Sequence, residues 1–182
     1  MAHRKLHTVY TAGPIAGCDW NGAVDWRNWV EEKLPECDVL SPMRGKEFLK
    51  ELESLPKDNE EFSEALSIAK RGVDAAVSSQ HSIVVRDHWD VSNADILIVN
   101  LLPSKELGIP SIGTCFELAW AWKYQKPAVV AMQSEGNPNE HVFVQEAAYL
   151  IVETLEEAVF VSRQLLNLPL IPEKEVLVDA IH

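Results

Sequence analysis

The stretch SIGTCFELAWAW, Ser111 to Trp122, is apolar along nearly its whole length and carries a single carboxylate, Glu117. Burying an ionised carboxylate alone is costly, so such a group has to be exposed, paired or used. The stretch reads as a helix, with Ser111 or Thr114 as its cap and Gly113 leaving the backbone open to a close ligand. One turn in, Glu117 shares a face with Gly113, Thr114 and Ala121, small neighbours that leave space above the carboxylate. A second acidic group is VVRDHWDVSNAD, with Asp87, Asp90 and Asp95 around Arg86 and His88. On a helix Asp87 and Asp90 share a face; Asp90 reads as part of a solvated acidic surface and His88 as a surface histidine. The spacing fits no standard metal motif. Tyr10, near the end of YTAGP, has a hydroxyl that needs a partner if buried, and a carboxylate is a suitable one.

These residues need elements to hold them, and the pattern supplies an alternation of strands and helices. HTVYTAGP (His7 to Pro14), Cys37 to Pro42, ILIVNLL (Ile96 to Leu102), Pro127 to Met132 and Ala148 to Val152 read as strands. Asp19 to Leu34, Val84 to Asp95, Ser111 to Gln125, Asn139 to Ala148 and Thr154 to Leu166 read as helices. The continuous apolar run ILIVNLL suits a strand covered on both faces. The order implies a doubly wound α/β sheet of about five mainly parallel strands, with helices on both faces. Ligands of such sheets lie beyond the carboxyl ends of the strands. Three turns fall there: AGPIAG, which holds Gly13, Pro14 and Ile15, then LLPSKELGIPSIGT, then QSEGNPNEH. Trp20 and Trp89 are the two tryptophans considered for contact with a nucleobase. Met43 to Gln80 breaks the alternation and reads as a charged excursion, part helical and part mobile.

At 182 residues the chain suits one domain, expected to span residues 1–182. A net charge of −12 argues against a binder of nucleic-acid backbones, though one phosphate can still sit at a helix N-terminus. Three cysteines, without CxxC spacing, support neither a disulfide framework nor a zinc site. With no apolar leader or spanning run in view, the expected compartment is the cytoplasm, that of a host cell if the source is viral, with no membrane partner.

YTAGPIAG, RDHWDVSNADILIVNLL, SIGTCFELAWAWKYQKPAVVAM and GNPNEH together resemble the nucleoside 2-deoxyribosyltransferase family, whose superfamily includes nucleoside 5′-monophosphate N-glycosidases. The resemblance runs over about Tyr10 to Glu157, outside the excursion. It implies a flavodoxin-like domain that cleaves the N-glycosidic bond of a nucleoside or nucleotide. It assigns Glu117 as the nucleophile on C1′, Asp87 as the acid that protonates the departing base, and Tyr10 as the residue that positions the nucleophile. Asn139 and His141 lie where relatives lend polar groups to the site of an adjacent subunit, which implies a homo-oligomer. The chemistry agrees: cleavage builds oxocarbenium character on the sugar and negative charge on the base, which a carboxylate and a proton donor relieve. Glu117 is then expected ionised and Asp87 at least transiently protonated. No metal or organic cofactor is required.

Ser111 departs from some nucleoside transferases, which hold an acidic residue six positions before the nucleophile. A serine there suits a 5′-phosphate at least as well as a hydroxyl. Three functions therefore stand side by side: a nucleoside deoxyribosyltransferase that passes the sugar to a second free base, a nucleoside 5′-monophosphate N-glycosidase, and a nucleotide-binding protein without turnover.

Overall fold

A computed structural model describes residues 7–68, 72–102, 111–133 and 135–169. Among them five strands form one parallel sheet: β1 (His7–Ala12), β2 (Cys37–Leu40), β3 (Ile96–Asn100), β4 (Ala128–Ala131) and β5 (Leu150–Val152), in the order β2-β1-β3-β4-β5. This is the flavodoxin-like order, with its switch point between β1 and β3. Tyr10 is in register with Leu40 on one side and Leu97 on the other, so its position on the sheet is held from both edges.

The helices are α1 (Trp20–Lys33), α2 (Asn59–Ser67), α3 (Gly72–Val77), α4 (Gln80–Asn93), α5 (Ile112–Lys123), α6 (Val142–Ala147) and α7 (Leu155–Leu165). Their starts are written in the sequence. Asp19 accepts from the Gly22 amide to cap α1, Ser79 caps α4, and Thr154 with Glu157 forms a reciprocal capping box on α7. One apolar layer joins Val9, Ile96, Ile98, Val129 and Ala131 to Val30 of α1 and Val159 of α7. The other joins Tyr10, Leu97, Val99 and Val130 to Val91 of α4, Leu118 and Ala121 of α5, and Val144 of α6. Alternate residues of each central strand therefore face opposite layers, the period-two consequence of a sheet covered on both sides.

The helix expected from Asn139 begins three residues later. The Asn139 amide donates to the Asn137 side chain and His141 caps α6, so Asn137–Glu140 forms a turn, and side chains there compete for the backbone. The excursion after β2 holds a short 3₁₀ turn (Glu47–Leu49), α2 and α3. Met43, Leu49, Leu55 and Ala65 bury against Cys18 and Ala23, with Ile15 and Trp20 packed on the edge. Backbone bonds Gly17 N to Leu55 O (3.0 Å) and Leu55 N to Cys18 O (2.8 Å) tie it to the turn after β1. Among the described residues no helix is long and apolar enough to cross a membrane.

Gly13, at the exit of β1, is a packing glycine. A Cβ there would sit 2.9 Å from the Asn100 carbonyl oxygen and 2.9 Å from Trp26 Cζ2. Gly13→Ala is expected to lower unfolding free energy by about 1–3 kcal/mol, the usual cost of overfilling a closed space. Urea denaturation checks this; an unchanged midpoint would show that the Trp26 ring yields freely.

Candidate functional site

Glu117 is brought to Tyr10 by the meeting of α5 with β1. It is 8% exposed, and its Oε1 accepts a 2.6 Å hydrogen bond from the Tyr10 hydroxyl. Thr114, Leu118 and Ala121 bury the same side of α5, which sets the carboxylate on the sheet side of its helix. Among the described residues nothing lies within 4 Å of where a side chain on Gly113 would stand, one turn before Glu117 on the same face of the helix. Asp87, 8% exposed on α4, is close enough for its charge to act on both Glu117 and Tyr10. The structure thus gathers Glu117, Asp87 and Tyr10 into one place.

Burial is the largest influence on each of these three groups. Burial pushes Glu117 up to about 8, and the charge of Asp87 adds to that; the Tyr10 hydrogen bond, Arg27 and Lys46 pull the other way. Burial also raises Asp87, but Lys46 and Arg86 offset part of the rise. Burial, then Glu117 and Asp87, hold the Tyr10 phenol well above its ordinary value, so it remains a donor. Arg86 Nη2 lies 3.4 Å from Asp87 Oδ1. Two such groups titrate as a pair, and the last proton leaves near the higher value.

Three cations stand in this neighbourhood, and two of them, Arg27 and Lys46, escaped the sequence reading, which named Arg86 without a role. Arg27 of α1 is buried, donates to the Ala23 carbonyl and, at 2.9 Å, to Gly13 O, and stacks on the Trp26 ring. Among the described residues its Nε has no hydrogen-bond partner, and burial lowers the guanidinium to about 10. Lys46 and Arg86 act on Asp87 from the turn after β2 and from α4 itself. The signal was available in SPMRGKEF: the end of β2 belongs to the same rim as the three turns considered.

Other candidates fall elsewhere. Asp90 is fully buried rather than solvated; Arg44 Nη2 sits 2.8 Å from its Oδ1 and 2.7 Å from its Oδ2. His88 is half-buried, 2.8 Å from the Tyr124 hydroxyl and edge-on to Trp120. Trp89, 60% exposed, lies on the side of α4 away from Asp87 and does not line this site. Trp20 and Ile15 pack into the small core of the excursion, and Pro14 is half-buried beside Gly13. Ser111 begins α5 without capping it by its side chain; its hydroxyl meets Thr114 Oγ1 at 2.9 Å, and its amide donates to Asn139 Oδ1 at 3.0 Å. Asn139 is buried and bonded within its own chain to Asn137, whose amide holds the Leu101 carbonyl at 2.7 Å. It therefore fixes the start of α5. His141 is exposed and accepts from the Phe143 amide. Asp95 lies at the opposite end of the sheet, accepting from the Thr8 amide at 2.8 Å. Most of the turn preceding Ser111 falls outside the described residues.

Two outcomes test these electrostatics. Tyr10→Phe removes the bond that favours ionised Glu117, so the carboxyl should titrate above its wild-type value of about 8 when followed by carboxyl carbon NMR. An unchanged titration would remove the hydroxyl from the balance. Glu117 also has a folded value above the unfolded one of about 4.3. Its contribution to stability is complete at low pH and is lost as pH rises through about 8. Glu117→Gln should therefore raise the melting temperature by more at pH 9 than at pH 5; an equal change at both would contradict a buried, proton-holding carboxyl.

No family model and no curated protein matches the sequence. Solved structures do. A 2-deoxyribosyltransferase from the psychrotolerant bacterium Bacillus psychrosaccharolyticus is 15% identical with a TM-score of 0.53, over 84% of this chain and 90% of that one. A conserved protein from Enterococcus faecalis V583 is 14% identical with a TM-score of 0.52, over 87% of this chain and 98% of that one. A CMP N-glycosidase from Clostridium botulinum is 14% identical with a TM-score of 0.47, over 87% and 98%. What the chain shares with the Bacillus transferase is its fold: a flavodoxin-like, parallel α/β sheet with the same overall course over most of both chains.

Proposed function

We propose that the protein is a nucleoside 2-deoxyribosyltransferase, cleaving the N-glycosidic bond of a (deoxy)nucleoside and passing the sugar to a second base. The observation that carries this reading is the buried 2.6 Å hydrogen bond from Tyr10 to Glu117, with Asp87 beside it. Gly113, one turn before Glu117, leaves room among the described residues for a ligand to come close to the carboxylate. Glu117 Oε attacks C1′, the C1′–N bond breaks, and its electron pair leaves on the base. Asp87 gives its proton to that base, and a glycosyl ester on Glu117 remains for a second base, or water, to take. The reactive form holds one proton on the pair, on Asp87, and the oxocarbenium charge that develops beside Glu117 favours that arrangement.

A second reading, a nucleoside 5′-monophosphate N-glycosidase, has its own support. Ser111 and Thr114 present adjacent hydroxyls at the start of the twelve-residue α5. Arg27, Lys46 and Arg86 also outnumber the two carboxylates around them, which suits an anionic substrate on an otherwise acidic chain.

The likeness to solved structures extends to the fold alone, so a substrate assay decides between the readings. Deoxynucleosides and their monophosphates, each with and without a free acceptor base, separate the readings. Exchange that needs an acceptor supports transfer, and release from monophosphates alone supports hydrolysis. Binding without turnover supports the non-catalytic protein. Glu117→Ala should abolish turnover with the fold intact, and Asp87→Asn should lower it about 100- to 10 000-fold. Because one proton is needed on the pair, kcat/KM should fall as pH rises beyond about 8. A rate still climbing at pH 9 contradicts this.

The same reading includes a homo-oligomer, supported by apolar side chains that α4, α5 and α6 leave in solvent: Trp89, Ile112, Phe116 and Phe143. A second copy on this face would bring exposed His141 toward a neighbour. Light scattering should give a mass above one chain for wild type and a smaller one for Phe116→Lys; a monomeric wild type contradicts it.

A further inference from the structure

The turn after β2 is fastened to α4 by two arginines working in opposite directions. Arg44 reaches from the turn to Asp90 (2.8 Å). Arg86 reaches back from α4 to the carbonyls of Pro42 (2.7 Å) and Arg44 (3.1 Å), while also facing Asp87. Between these anchors Gly45 takes φ +76, a left-handed conformation that turns the chain sharply and that a side chain would strain. The next residue, Lys46, is thereby turned inward and left 4% exposed. Lysine is rarely buried without a paired anion. Among the described residues its ammonium forms no ion pair, and Asp87 is the charge that acts on it most strongly, with Glu117 more weakly felt.

Resting on the N-glycosidic reading above, we propose that Lys46 meets the departing nucleobase, donating a hydrogen bond to an exocyclic oxygen, and so selects bases that carry a carbonyl over adenine. Glu117 marks the position of C1′, and Asp87 marks the base nitrogen that takes the proton. Lys46, buried in the turn that Arg86 ties to the helix of Asp87, feels the charge of Asp87 more strongly than that of Glu117, which assigns it to the base side of the bond. As C1′–N breaks, the electron pair on the base is delocalised onto its carbonyl oxygens, and an ammonium held there stabilises the leaving group while keeping its own protons. Adenine has no such oxygen, and its amino group would leave the buried ammonium facing a donor. Burial lowers Lys46 to about 8, so it is charged through the neutral range and loses that charge on the alkaline side. This turn is on a different element from the start of α5, where a 5′-phosphate would be held by Ser111 and Thr114.

The test compares deoxyinosine with deoxyadenosine, each with and without a 5′-phosphate, in wild type, Lys46→Met and Lys46→Arg. Wild type should prefer the hypoxanthine substrates. Lys46→Met should lower kcat/KM for them about 10- to 100-fold, as expected for a hydrogen bond from a charged donor, and change the adenine substrates by less than about threefold. Lys46→Arg should restore part of the preference. The acidic limb of the pH profile should move upward in Lys46→Met, because the cation that lowers Asp87 is gone. Equal losses for both bases, or a loss that follows the phosphate instead, would overturn the assignment and leave N-glycosidic cleavage standing. Release of no base by wild type from the deoxyinosine substrates would overturn the assignment, and release of none from pyrimidine deoxynucleosides and their monophosphates as well would overturn both. If Lys46→Met does not fold, wild type alone decides: hypoxanthine should bind more tightly than adenine in calorimetry, and the reverse order rejects the proposal.

Discussion

The carboxyl of Glu117 is enclosed, and the protein gives it one strong hydrogen bond, from Tyr10. Without that bond the group would be a buried acid that never ionises; with full solvation it would be an ordinary carboxylate, weakly basic and surrounded by water. The combination leaves it near neutral, where a modest change in surroundings decides its charge. Much of the architecture serves that balance. Tyr10 is held between β2 and β3 by parallel pairing on both sides, and Glu117 is held by the buried face of α5. The start of α5 is fixed in turn by the chain of amides from Leu101 through Asn137 and Asn139 to Ser111.

The cations complete the balance by acting unequally. Asp87 sits next to Arg86 and feels Lys46 most strongly, whereas Glu117 feels its cations through Arg27 first and Lys46 second. Two carboxyls in one pocket thus acquire different proton affinities from their surroundings rather than from their chemistry. The formal charge of −12 says nothing of this, because the potential at a buried site is set by the nearest few groups. The chain is acidic overall and locally cationic where it matters.

The sheet was legible because each strand is a short apolar run between breakers, and α5 was legible because its one carboxylate stood out. Tyr10 as the partner of a carboxylate followed from the needs of a buried hydroxyl. What could not be read were pairings across long sequence separations. Asp90 and His88 looked like surface residues because their partners, Arg44 and Tyr124, lie forty-six and thirty-six residues away. Trp89 was misjudged by adjacency: neighbours in sequence on a helix face different directions. Lys46 was lost inside a segment whose charge made it look like solvent-facing chain.

That segment shows why charge density is a poor guide to role. Its apolar residues are few, but Met43, Leu49, Leu55 and Ala65 all bury against α1 and the turn after β1. This small core, with two backbone bonds at Leu55, is what holds the excursion against the body of the protein. The arginine clamp then has a fixed frame to work from, and Gly45 can direct Lys46 inward rather than to solvent. A buried lysine costs desolvation free energy, and a chain that only had to close a loop would have no reason to bear that cost. The excursion is therefore not a solvated loop: satellite packing fixes it to the body of the protein and holds a buried cation within reach of the charges of two acids.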